Sequence, residues 1–225
     1  MNSVTGTKKE TLKVLGNGTY KREVETTNIS ISGSATFHEN VITEGYHIIG
    51  YCKVLGEVVA TNFVNKGSSS VKKRLTSNEL TNLGKGYFHH IKAEIIDSAG
   101  YLEVNESVHC KTFKSRGALK INDTLSGENL SIELSVPSRI NKIEGREELS
   151  IKFIKSTFLN PFTRSKKKMT SNVISANKIH IEHTEAEHVS GNFVKIGKNC
   201  RINEVVYSEG LEVHPSSYVG TKVHK

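Results

Sequence analysis

The residues that could carry chemistry are a histidine cluster, three cysteines and a basic aromatic run. His180, His183 and His188 crowd into IHIEHTEAEH, with acids between them. A zinc site of the HExxH kind needs glutamate directly after the first histidine, and two imidazoles one helical turn apart on one face. Here isoleucine follows His180, and the spacing does not fit. In an extended strand neighbouring side chains face opposite sides, so His180 beside Ile181 reads as surface decoration. His89 and His90, after Phe88, read the same way at a corner. Cys52, Cys110 and Cys200 are too few and too scattered for a disulfide framework or a four-ligand metal site. They fall at inward places of the repeat described below and read as small apolar fillers. The LGKG run at residues 83–86 lacks the spacing and the Lys-Ser/Thr of a phosphate-cradling loop. No carboxylate pair and no Ser/His/Asp set can be placed. The sequence therefore predicts no catalytic residue, no metal site and no cofactor.

The basic run is KFIKSTFLNPFTRSKKK, residues 152–168. It carries Lys152, Lys155, Arg164, Lys166, Lys167 and Lys168 and no acid, interleaved with Phe153, Ile154, Phe158, Leu159 and Phe162. Ile154, Phe158 and Phe162 are four apart and would share one helical face, although Pro161 bars a long straight helix. Such a segment has the chemistry of a membrane-surface contact, with aromatics at the interface and cations toward anionic headgroups. The other reading is an insertion that packs its apolar side on the rest of the chain and leaves its lysines in water. The formal net charge of +8 also raises nucleic acid as a partner. Apart from this run and Lys72-Lys73-Arg74 the cations are scattered, and most aromatics fall at inward places. Non-specific attraction fits that pattern; specific nucleic-acid recognition does not.

These residues must be positioned by one repeated unit. Val24, Val41, Val58, Leu75, Ile91, Val108, Leu125 and Ile143 are 17 residues apart, with one step of 16 and one of 18. Two places after each opener comes a small residue: Thr26, Thr43, Ala60, Ser77, Ala93, Cys110, Gly127. Five places on is a second large apolar residue, from Ile29 and Tyr46 to Leu130. Nine places on is glycine: Gly33, Gly50, Gly67, Gly84, Gly100 and Gly117. Thirteen places on is a third anchor, from Phe37 and Val54 to Ile121. Run backwards, the register places Leu12, Gly16 and Tyr20 in an earlier unit opened by Thr7. A fixed period of this kind means stacked units, none of which buries a face alone. Within a unit the inward residues sit two apart, which is strand spacing, and no helical stripe runs through it. The glycine is expected where a corner demands positive φ or leaves no room for Cβ. Short strands joined at tight corners predict an all-β parallel β-helix, each opener about 4.8 Å above the last.

The pattern loosens after Leu125, where Leu134 stands at the glycine place and Pro137 where a strand should run. It resumes with openers Val173, Val189 and Val205, second anchors Ile179 and Leu211 with Lys195 as a miss, and third anchors Ala186, Ile202 and Val219. The expected organisation is a disordered 1–6, a first block 7–151, the basic insertion 152–172, a second block 173–219 and a tail 220–225. About a dozen coils of 16–17 residues make a rod roughly 55 Å long. No apolar run reaches the roughly 20 residues of a membrane-spanning helix, and the N-terminus has no stretch of signal-peptide length. The expected location is cytoplasmic, with peripheral contact at the inner face of the membrane as the role of the basic insertion.

The recurring unit, as in VVATNFVNKGSSSV and VHCKTFKSRGALKI, resembles the bactofilins, the bacterial polymer-forming cytoskeletal proteins. The run KIHIEHTEAEHVSGNFVKIGKNCRINEVVYSEGLEV, preceded by the basic aromatic insertion, is similar to a longer Firmicute branch of that family. The resemblance covers about residues 12–219. It implies a right-handed winding, end-to-end polymerisation with copies of itself without nucleotide, and a scaffold role in cell shape, envelope or motility, alongside other proteins of those systems. The chain departs from the short single β-helix of typical members by its insertion and its second block. One stretch, VKIGKNCRI at residues 194–202, looks instead like the hexapeptide repeat of left-handed β-helix acyltransferases. That repeat needs anchors at offsets zero, six and twelve, whereas the first block holds zero, five and thirteen.

Overall fold

In the computed structural model, residues 11–153 and 168–225 are described. They form a parallel β-solenoid of about 12 coils, without helices among them. All strand pairs in the single sheet are parallel, from Thr11↔Asn28 near one end to Tyr207↔His224 near the other. The pairing follows the repeat. Val24 lies beside Val41, Val41 beside Val58, Val58 beside Leu75, and the column continues through Ile91, Val108, Leu125 and Ile143. Identical positions stack because each coil returns to the same point one strand spacing up. Inward-facing openers, second anchors and third anchors then merge into a continuous core, in which Ile29, Phe37, Val41, Phe113 and Ile143 are fully buried. Each such side chain contributes on the order of 1.5–3 kcal/mol of burial.

The corner glycines sit where the period placed them, but for one of the two expected reasons only. Among the described glycines none has positive φ. A Cβ on Gly67 would run into the carbonyl oxygen of Gly50, one on Gly84 into that of Gly67, and so along the series from Gly33 to Gly117. The corner carries its own hydrogen-bond ladder: Tyr51 N donates to Gly33 O at 2.9 Å, Ser68 N to Gly50 O at 2.9 Å and Lys85 N to Gly67 O at 2.8 Å. Each glycine carbonyl thus points straight up the rod, into the space a side chain of the next corner would fill.

Four expectations change. Pro137 does not interrupt a strand: it lies between strands Ala118–Leu134 and Ser138–Phe153, in a corner lengthened so that Ile121 pairs with Ile140. No ladder donor is lost there. In the second block the opener is Ile174 rather than Val173, since Ile143 pairs with Ile174 and Ile174 with Val189. Val194, not Lys195, then fills the second-anchor place, pairing with Ile179 and Leu211. The solenoid also takes in residues assigned to the insertion and the tail: one strand runs through Phe153, the next begins at Met169, and strand Tyr218–His224 pairs with residues 201–207.

A further inward column went unread in the sequence, seven places after the opener. It runs Ile31, Ile48, Asn65, Asn82, Ser98, Ser115, Ile132. Its polar members are buried, and Asn65, Asn82 and Ser98 are joined up the axis. Asn65 Nδ2 donates to Asn82 Oδ1 at 2.8 Å, and Asn82 Nδ2 to Ser98 Oγ at 3.1 Å; the same amides reach the carbonyls of Lys85 and Tyr101 at 3.0 Å. Buried amides need such partners. Asn65 Oδ1 and Ser69 Oγ have none among the described residues.

Candidate assembly ends and surface sites

The histidine cluster does not converge. His180 points outward beside Glu182, at 3.8 Å, while Ile181 is buried. His183 adopts a φ of 48° at a corner and lays its ring on Phe153, centroids 4.6 Å apart. His188 reaches round to Glu204, 2.7 Å away on the next coil. Burial holds the imidazoles of His180 and His183 below their ordinary range, outweighing the neighbouring Glu182. His89 pairs with Glu106 at 3.2 Å, and His90 lies 5.3 Å from the His109 ring. Among the described residues no three His, Cys, Asp or Glu side chains are grouped to hold a metal ion.

Cys52 and Cys200 face inward and are buried; Cys110 is half-buried at a small-residue corner. Cys52 Sγ lies 2.9 Å from the buried Tyr46 hydroxyl. Burial pushes the Cys52 and Cys110 thiols up to about 12 and that of Cys200 to about 11, so none is primed as a nucleophile. VKIGKNCRI forms a single corner, with Val194, Ile196, Cys200 and Ile202 inward and Asn199 at a φ of 56°.

The basic run divides. Phe153 is part of the last strand of the first block, partly buried against the core and stacked on His183. Lys168 pairs with Glu185 at 2.5 Å. Lys152 is exposed. Ile154, Lys155, Phe158, Leu159, Phe162, Arg164, Lys166 and Lys167 lie outside the described residues. Among those described, no helix is long and apolar enough to cross a membrane.

What the fold does bring together is the cross-section at each end. At one end, Leu12, Tyr20 and Val24 are only half-buried, whereas Ile29 and Phe37 one coil in are fully buried. The Tyr20 ring stacks flat on Phe37, centroids 4.7 Å apart and planes 13° apart, so its other face is turned along the axis. Strands Thr11–Val14 and Asn17–Tyr20 pair on one side only among the described strands. The other end is a step. Residues 218–224 cover strand residues 201–207, with Arg201 over the Tyr218 ring at 5.7 Å and Tyr207 against His224. Among the described strands, residues 210–213 pair only backwards, onto 193–196. Leu211, Val213 and Val219 are consequently half-buried, where Val194, Ile196 and Ile202 one coil in are buried.

The sequence matches no known family model, and no solved structure matches it. It is similar to an uncharacterized protein, YhbF, of Bacillus subtilis (strain 168), at 36% identity over 61 residues. That match takes in 27% of this chain and 26% of the relative, so the chain spans about a quarter of that protein's length.

Proposed function

We propose that this chain is a structural, polymer-forming scaffold that assembles end to end with copies of itself, without nucleotide and without catalysing a reaction. The observation that carries this reading is the pair of end coils. At each, among the described residues, strand edges pair on one side only and inward apolar side chains are left half-covered. An open edge of this kind is either covered or pairs with another chain. The dispersal of histidines, cysteines and acids over separate coils favours a scaffold over an enzyme. The kinship with bactofilins suggested by the repeat belongs to this proposal. So do its right-handed winding, a cytoplasmic place at the inner face of the membrane, and a role beside envelope or motility proteins. Negative-stain microscopy and sedimentation velocity of the purified full chain, with no nucleotide added, test it. Rods much longer than one solenoid are the expected result; a strict monomer at high micromolar concentration overturns it.

A further inference from the structure

The residues that precede the corner glycines form an outward column: Leu15, Ser32, Ile49, Lys66, Leu83. Leu15, Ile49 and Leu83 are 80%, 63% and 49% exposed. They stand on alternate coils, so they line up along the rod about 10 Å apart. Tyr51 and Tyr87 are exposed on the strand that follows the corner. One exposed aliphatic side chain is ordinary, but a row of them with tyrosines beside it along one edge marks a surface suited to an interacting partner.

Their surroundings carry one sign of charge. On the first five coils, the positions running from the second anchor past the corner to the third anchor are residues 12–20, 29–37, 46–54, 63–71 and 80–88. These hold four lysines, Lys13, Lys53, Lys66 and Lys85, and neither aspartate nor glutamate. The ion pairs between described residues lie from His89 onward. The acid-free surface ends one coil later, at Asp97 and Glu103, and there the cations are matched, Arg116 to Asp97 at 3.7 Å and Lys120 to Glu103 at 2.7 Å.

The occupant must therefore be anionic and extended along the rod, and must accept aliphatic side chains from a convex edge. A second copy laid on this edge would bring lysines against lysines. An acidic peptide would need a groove, which a projecting corner does not offer. A bilayer containing anionic lipids meets all three conditions: lysines reach the headgroups while isolated aliphatic and tyrosine side chains enter the interface. We propose that this corner is a membrane-facing edge, by which the rod lies along an anionic lipid surface. It stands independently of end-to-end assembly and of the basic run.

The absence of tryptophan allows a direct test. Single-tryptophan chains Ile49→Trp and Val59→Trp place a reporter on the edge and on a different face of the adjoining coil, where Val59 is 45% exposed. Each is mixed with phosphatidylglycerol-containing or pure phosphatidylcholine vesicles bearing brominated acyl chains. The expected result is a blue shift and quenching for Ile49→Trp with the anionic vesicles only, and neither for Val59→Trp. In flotation, Lys53→Glu/Lys66→Glu/Lys85→Glu should lower vesicle binding at least tenfold, and Lys166→Gln/Lys167→Gln should leave it unchanged. Any of three results overturns the proposal: no binding to anionic vesicles, equal quenching of both reporters, or loss of binding in the Lys166→Gln/Lys167→Gln chain alone. So does a change in sedimentation of the triple-glutamate chain without lipid that accompanies unaltered vesicle binding, since the edge would then join copies of the chain.

Discussion

A single methyl group decides whether one corner can stack on the next. Gly67 has ordinary backbone geometry, so replacing it with alanine incurs no left-handed penalty; the added Cβ instead meets the carbonyl of Gly50 and that of Ile49. The Gly50 carbonyl accepts from Ser68 N in the coil ladder and cannot retreat. Gly67→Ala should therefore cost about 1–3 kcal/mol, as overpacking does, whereas Gly16→Ala, whose Cβ would meet nothing within 4 Å, should cost about 0.5 kcal/mol or less. Urea midpoints of the two chains measure the difference; equal midpoints would remove the carbonyl contact as the reason for the glycine. The buried thiols make a prediction of different kind. Unfolded, the Cys52 thiol ionises near 9; folded, burial holds it protonated to about 12. The unfolded chain thus sheds this proton first as pH rises. Stability from this group is complete below pH 9 and is lost between 9 and 12. Cys110 and Cys200 add to the fall in the same sense. Urea midpoints taken against pH should decline over that window, and the decline should be shallower in Cys52→Ala.

At the scale of the element, the inward column of Ile31, Ile48, Asn65, Asn82, Ser98 and Ser115 shows apolar and polar residues doing one positional job. Asn82 is the centre of the polar segment: it accepts from Asn65 and donates to Ser98 and to Tyr101 O. Asn82→Ala removes all three links and leaves buried groups short of a partner, a loss of about 1–3 kcal/mol. Asn65→Ile/Asn82→Ile removes both amides together and restores the residue types of the two coils beneath. It should cost less than the single alanine change, and chemical denaturation of the three chains gives the order; the reverse order would mean that the amides are essential to the coil itself. This column also marks where sequence reading stopped. The opener, the second anchor and the third anchor were legible because they keep one chemical class from coil to coil. The column between them changes class at Asn65, and four polar residues conceal its period. The second block slipped by one place at Val173 for a related reason: its coils are 15, 16 and 17 residues long, so no constant step finds Ile174. Open ends follow from the repeat itself, but which residues are half-covered there could not be read, because that depends on which coil lacks a neighbour, and single residue types do not encode it.

The described residues make a rod with two unlike tips, one flat with Tyr20 and Leu12 uppermost among them and one stepped around Leu211 and Val213. Unlike tips allow two ways of growing. If each tip binds its own kind, every contact is two-fold and the polymer has no polarity; if each binds the other, the polymer has a direction. Blocking the tips one at a time separates these. Leu12→Lys and Leu211→Lys each put a cation into a half-buried place at one tip, where the monomer still tolerates it but an apposed coil would bury it. With like-to-like contacts, either change alone leaves one working tip, and the chain stops at pairs of twice 24.9 kDa. The double variant is then a single rod. With head-to-tail contacts, either change alone already gives single rods, because each contact needs both tips. The like-to-like outcome is the one expected, since an exposed strand edge and its stacked side chains find in a second copy of the same tip a surface of equal width and matching apolarity. Light scattering of the unaltered, singly and doubly changed chains reads the masses directly. Long polymers from the double variant would show that growth does not run through the tips.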